Sequence, residues 1–175
     1  MRRAILLLST VVILVAWLTP SASAASRARP FTGSAIVEVL VGPEPDGSCD
    51  ADAGLRTDTT ATGTASHLGR MTFTATHCTP EEPEWEVGLV HDGEMTMVAA
   101  NGDELFVEYE GYSDPWVFEL GAVITGTMNL SIDGGTGRFE GATGEAVMDV
   151  YLILESFDFT VPLPGVFSWQ GELTY

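Results

Sequence analysis

Beyond residue 30, apolar and polar residues alternate one by one over most of the chain, which is the period of a half-buried β-strand. From Gly33 to Val41, the side chains of Ala35, Val37, Val39 and Val41 fall on one face. Ser34, Ile36, Glu38 and Leu40 fall on the other. Arg56 to Cys78 is rich in threonine and reads as two strands, or one bent strand, interrupted at Gly69-Arg70. In its second half Met71, Phe73 and Ala75 alternate with Thr72, Thr74 and Thr76. Trp85 to His91 predicts a strand, Asp92-Gly93 a hairpin turn, and Met95, Met97 and Ala99 the inner face of the next strand. After a tight turn at Asn101-Gly102-Asp103, Leu105, Val107 and Tyr109 face one way.

The second half repeats the theme. Trp116 to Leu120 predicts a short strand, and Ile124, Gly126, Met128, Leu130 and Ile132 then oppose Thr125, Thr127, Asn129 and Ser131. A long strand is expected from about Glu145 to Phe159, with Met148, Val150, Leu152 and Leu154 on one side and Pro162 and Pro164 ending it. The last strand sets Phe167, Trp169, Gly171, Leu173 and Tyr175 against Ser168, Gln170, Glu172 and Thr174. No useful stretch of helical period follows residue 24. About eight or nine strands on short turns predict an all-β fold, a single antiparallel up-and-down β-barrel of about eight strands.

Between two of these strands lies Gly134-Gly135-Thr136-Gly137-Arg138-Phe139-Glu140-Gly141-Ala142-Thr143-Gly144. Glycine at such density implies positive φ, or backbone packed too closely for a Cβ. Phe139 is its one large apolar residue, so the segment is expected to turn around a ring inserted in the core. A phosphate loop is the competing reading. It fails for want of a Gly-Lys-Ser/Thr ending and a following helix. Arg138 is expected to pair with a nearby carboxylate.

Residues 1–24 have the form of a cleavable secretory signal: Arg2 and Arg3, an apolar run from Ala4 to Leu18, then Ala22-Ser23-Ala24. The apolar run is shorter than the ~20 residues of a spanning helix. Residues 25–30 read as a short tail and 31–175 as the barrel domain. The chain carries 7 Lys+Arg, all arginine, against 25 Asp+Glu. Cleavage removes two arginines and no acid, leaving 5 − 25 = −20. Such a surface excludes nucleic acid and anionic lipid as partners and suits an extracellular protein, with no membrane insertion once the signal is removed. In an exported chain Cys49 and Cys78 are expected to form a disulfide. It would close a 30-residue loop (78 − 49 + 1), worth about 3–4 kcal/mol on a chain-entropy view.

Candidate chemistry is sparse. Asp46, Asp50 and Asp52 invite calcium, but spacing and glycine placement do not match an EF-hand loop, so solvated aspartates are the expectation. His67 and His77 share parity, and His91 is the only other histidine available as a third ligand. Hydrogen-bonded histidines are expected over a metal site, and no cofactor is implied. Asp149 and Glu155 on the long strand are weak catalytic candidates, able to act as general acid or base if they point into an apolar barrel. Their face is the more polar one, which favours solvated carboxylates instead.

The run GGTGRFEGATG at Gly134–Gly144 resembles the glycine-rich segment of the dirigent and allene oxide cyclase-like barrels, including small secreted bacterial proteins. Ser66-His67-Leu68-Gly69, Ala99-Ala100-Asn101-Gly102-Asp103 and Gly171-Glu172-Leu173-Thr174-Tyr175 look similar to their other stretches. The resemblance implies an eight-stranded antiparallel barrel in which Gly134, Gly135, Gly137, Phe139, Gly141 and Gly144 are architectural. It transfers no catalytic residue, because function does not follow fold. Three readings remain. The first is a noncatalytic secreted barrel, able to bind a small apolar ligand. The second is an isomerase or cyclase using a barrel carboxylate, and the third a cell-surface interaction module.

Overall fold

A computed structural model of the chain describes residues 27–43, 49, 55–79, 88–115, 117–158 and 160–175. Eight strands run in order: β1 (Arg29–Pro43), β2 (Leu55–Ala65), β3 (Gly69–Thr79), β4 (Gly88–Ala99), β5 (Glu104–Ser113), β6 (Val123–Gly135), β7 (Thr143–Ile153) and β8 (Leu163–Thr174). Each pairs antiparallel with the next, and β8 returns to β1, closing the barrel. Closure gives every ladder group a partner and leaves no sheet edge. It also points one face of all eight strands into a single interior, which is why the period-two pattern holds throughout. Ala35, Val37 and Val39, Met71, Phe73 and Ala75, and Met95, Met97 and Ala99 all lie in one buried cluster with Leu105, Val107 and Tyr109.

The two ends of the barrel differ. At one end the chain turns tightly at residues 66–68 and 100–103 and through the glycine segment. The opposite, loop end is where β1, β3, β5 and β7 finish. In the glycine segment a 3-10 turn at Gly137–Phe139 drops the Phe139 ring into the core, fully buried, against Tyr175 at a centroid distance of 5.2 Å. Gly134, Gly137 and Gly141 have φ of 106°, 59° and 70°, a region that other L-residues enter at a cost. A Cβ on Gly137 would also collide with the Asp103 carboxylate. Asp103 receives a 2.8 Å bond from Asn101 and lies 3.7 Å from the Arg138 guanidinium, so Arg138 has the expected carboxylate partner. The Asn101 bond, with help from the backbone N–H and charge of Arg138, holds the Asp103 carboxyl below its ordinary range.

Several expectations need correction. Asp92-Gly93 is not a hairpin turn. It sits inside β4 at a bulge, where the pairing with β5 shifts register between Val90 and Gly93. Asp92 takes the positive φ there, 51°, and the strand continues, because ladder bonds resume at Gly93–Tyr109. No strand forms at residues 117–120. Val117, Phe118 and Leu120 are exposed in the connection between β5 and β6, which has no partner strand to pair with. β7 stops at Ile153 rather than running to residue 159, and Leu154 is instead bonded to Ala122 in the neighbouring connection, N to O 3.0 Å. The barrel begins at Arg29, two residues inside the expected tail, because Arg29 and Pro30 pair with Leu173 and Glu172. The signal segment and Asp46, Asp50 and Asp52 lie outside the described residues. Cys49 and Cys78 are joined, with Cα atoms 5.7 Å apart.

Truncating the plug tests this packing. Phe139→Ala should cost about 3–5 kcal/mol in equilibrium denaturation. Arg138→Ala, which removes a solvent-accessible pair with Asp103 and a guanidinium 4.8 Å from the Phe139 ring centroid, should cost about 1 kcal/mol.

Candidate functional site

Polar side chains are rare on the inner face. The buried polar residues among those described are Thr57 and Thr59, both on β2, and no described Asp or Glu is buried. Thr57 is paired directly across the ladder with His77 on β3, so the two project to the same face. His77 is half-buried and lies near the loop end, one residue before the disulfide. Its Nδ1 is 2.9 Å from the hydroxyl of Tyr109, and the two rings meet edge to face with centroids 5.7 Å apart. The Tyr109 hydroxyl is also 3.1 Å from the Thr76 carbonyl, to which it donates.

Tyr109 is on β5 and His77 on β3, so their contact spans the intervening β4. Gly93 makes this possible. It is the β4 residue paired with Tyr109, and a Cβ there would lie 2.7 Å from the Tyr109 ring and would strike its carbonyl. Without the Cβ, the phenol lies over the β4 backbone and reaches β3. The reach ends where the β3–β4 pairing shifts register between Thr76 and Cys78. One β4 bulge, which shifts the register with both neighbours, and one glycine thus bring a histidine and a tyrosine together.

Burial lowers the His77 imidazole to a pKa of about 4, with the nearby His91 adding to the effect. His77 is therefore neutral at ordinary pH. Burial, and then the charge of Asp58, raise the Tyr109 phenol above its ordinary value, so it keeps its proton. A neutral imidazole and a protonated phenol in an apolar barrel can exchange hydrogen bonds with a guest. Neither offers it a charge.

The other candidates do not assemble. His67 sits in the β2–β3 turn at φ 69°, with Nε2 3.0 Å from the Pro30 carbonyl and Nδ1 3.3 Å from the Tyr175 hydroxyl. That is the end of the barrel away from His77, so shared parity does not put the two histidines on one face of one strand. His91 pairs with the adjacent Asp92, Nδ1 to Oδ2 2.7 Å. Among the described residues no group of three or more His, Cys, Asp or Glu could hold a metal ion. Asp149 is exposed on the outer face of β7 and Glu155 is exposed after that strand ends. Neither points into the barrel, which removes the acid–base role suggested for them. The alternation of β5 puts Tyr109 on the inner face, but only the β4 bulge and Gly93 connect it with His77.

One further inner-face residue, Trp169, carries a polar atom into the interior. Trp169 on β8 is paired with Gly33 on β1, where a Cβ would overlap the indole. The Trp169 ring packs 6.2 Å from Phe31 and 6.4 Å from Phe73, centroid to centroid. Its Nε1–H is buried with no acceptor, the one such side-chain atom among the described residues.

The histidine makes stability depend on pH. Unfolded, His77 protonates near its ordinary 6.5; folded, it resists protonation down to about 4. The unfolded state therefore binds the extra proton first. The contribution of His77 is complete above pH 6.5 and is lost as pH falls toward 4. Its loss should be on the order of 2 kcal/mol across that window. Urea unfolding of the parent and His77→Gln at several pH values should show the parent losing that much relative to the variant. Gly93→Ala should also be destabilising, by about 1–3 kcal/mol, as the added methyl pushes Tyr109 off its site.

No known family pattern matches the chain, and no curated protein does. Among solved structures, the pterocarpan synthase dirigent protein GePTS1 is similar at 17% identity and a TM-score of 0.46, covering 94% of this chain and 99% of its own. The pterocarpan synthase dirigent protein PsPTS1 is similar at 16% identity and the same TM-score of 0.46, covering 84% of this chain and 96% of its own.

Proposed function

We propose that this chain is an exported, noncatalytic β-barrel that holds a small, mainly apolar molecule in its interior. The observation that carries the reading is the Trp169 Nε1–H, buried between Phe31 and Phe73 without an acceptor. A buried donor left unpaired costs about 1–3 kcal/mol. An oxygen-bearing guest would supply the missing acceptor and lie against aromatic rings. Eight-stranded barrels have an interior of the size that side chains fill or one small ligand occupies.

The electrostatics support an uncharged guest. No described carboxylate is buried, and His77 on the inner face near the loop end is neutral. The same absence of buried acid argues against the isomerase reading, which needs a carboxylate inside. The acidic exterior keeps an exported protein soluble and away from anionic surfaces. The disulfide suits an oxidising compartment outside the cytosol.

Titrating the purified protein with the uncharged fluorophore N-phenyl-1-naphthylamine tests the reading. Saturable enhancement at one equivalent is expected, abolished by unfolding in urea. Enhancement that never saturates, or none at all, would mean that the interior is closed to guests.

A further inference from the structure

The hydrogen bonds around Tyr109 fix more than its position. A phenol has one proton to give. The Thr76 carbonyl can only accept, and the Tyr109 hydroxyl donates to it at 3.1 Å. The same oxygen lies 2.9 Å from His77 Nδ1. If Nδ1 were bare, two acceptors would compete for one proton and one of the two short contacts would have no proton in it. With the proton on Nδ1, both contacts are satisfied: Nδ1–H donates to the Tyr109 oxygen, and the Tyr109 proton goes to Thr76. Hydrogen-bond accounting therefore assigns the Nδ1–H tautomer to neutral His77. Nε2 is then a bare lone pair, and among the described residues it makes no hydrogen bond.

We infer that His77 Nε2 is the specificity-determining contact of the barrel, an acceptor that selects uncharged guests carrying a hydroxyl or N–H donor and rejects carboxylates. This rests on the barrel-ligand reading given above. The groups around the imidazole bear it out. Tyr109 and Thr57 are neutral, and His91 is occupied with Asp92. Arg56, paired across the ladder with Cys78, is bonded to Asp58 at 3.1 Å, and the chain as a whole is strongly negative at −18. A carboxylate would meet a lone pair where it needs a donor. An ether would present an acceptor to an acceptor. An alcohol or neutral amine would complete the chain guest–His77–Tyr109–Thr76, each link donating to the next. Toward the tight-turn end of the interior, the Trp169 N–H would donate to a guest oxygen, the complementary arrangement.

Three naphthalene probes of similar size separate the possibilities by fluorescence titration: 2-naphthalenemethanol, its methyl ether and 2-naphthoate. The alcohol should bind about three- to tenfold more tightly than the ether, the value of one hydrogen bond, with naphthoate weakest. His77→Phe should bring alcohol and ether to equal affinity. Equal affinity of alcohol and ether in the parent would overturn the role of His77 and leave the barrel-ligand reading standing. Failure of every probe to bind would sink both. Because His77→Phe alters a buried pair, nitrogen-15 NMR of histidine-labelled parent protein gives a second, ligand-free readout. Nε2 should carry the unprotonated, pyridine-like signal, and Tyr109→Phe should release the tautomer to a mixture. An unprotonated Nδ1 in the parent would refute the assignment.

Discussion

Closure of the β8–β1 ladder is the constraint from which the rest follows. Eleven residue pairs join these strands, from Arg29–Leu173 to Val39–Leu163, and they are what turns a meander into a barrel. With the cylinder shut, inward side chains from eight strands must share a space only a few side chains across. The sequence meets that limit by setting small residues beside large ones. Gly33 lies beneath Trp169 and Gly93 beneath Tyr109, each pair directly opposed across a ladder. Rings therefore lie over neighbouring backbone instead of colliding at the axis. Dense packing of this kind is typical of protein interiors, and here it is reached by alternation between strands as well as along them.

The ends of the barrel are handled differently. At the tight-turn end, Phe139 and Tyr175 close the interior, and the Asp103 carboxylate ties the β4–β5 turn to the glycine segment. At the loop end the inner face changes character. Thr57, His77 and Tyr109 bring hydroxyl and imidazole groups into an apolar lining, and the disulfide sits immediately beside them. A cylinder plugged at one end and polar at the other has a direction. Polar groups in such a place must find partners, because burying them unpaired is costly. His77 and Tyr109 do so by bonding to each other and, through the Tyr109 hydroxyl, to the Thr76 carbonyl, while burial keeps both neutral.

Outside, the chain is governed by charge. Carboxylates and threonines occupy most outward positions, but Tyr151, Val166 and Ile36 form an exposed apolar row across β7, β8 and β1. Catalysis by a buried carboxylate finds no support in this arrangement, since Asp149 and Glu155 both face water. What the architecture does provide is an aromatic interior holding a buried donor with no partner among the described residues and, at the loop end, a neutral imidazole–phenol pair.

The amino-acid sequence by itself determined the strands' inner faces, the barrel class, the buried role of Phe139, the carboxylate partner for Arg138 and the cysteine pair. All of these rest on period-two alternation, glycine density or residue type, which are local signals. What it could not determine were the β4 bulge, the end of β7 and the failure of residues 117–120 to pair. An Asp-Gly dipeptide has the same turn chemistry in a hairpin as in a bulge, and a strand pattern becomes a strand only if a neighbour offers its hydrogen bonds. The His77–Tyr109 contact belongs to the tertiary structure alone. The two residues are 32 positions apart and on strands that are not neighbours. Only a closed ladder, with a glycine between them and a shifted register on either side, brings an imidazole and a phenol within one hydrogen bond.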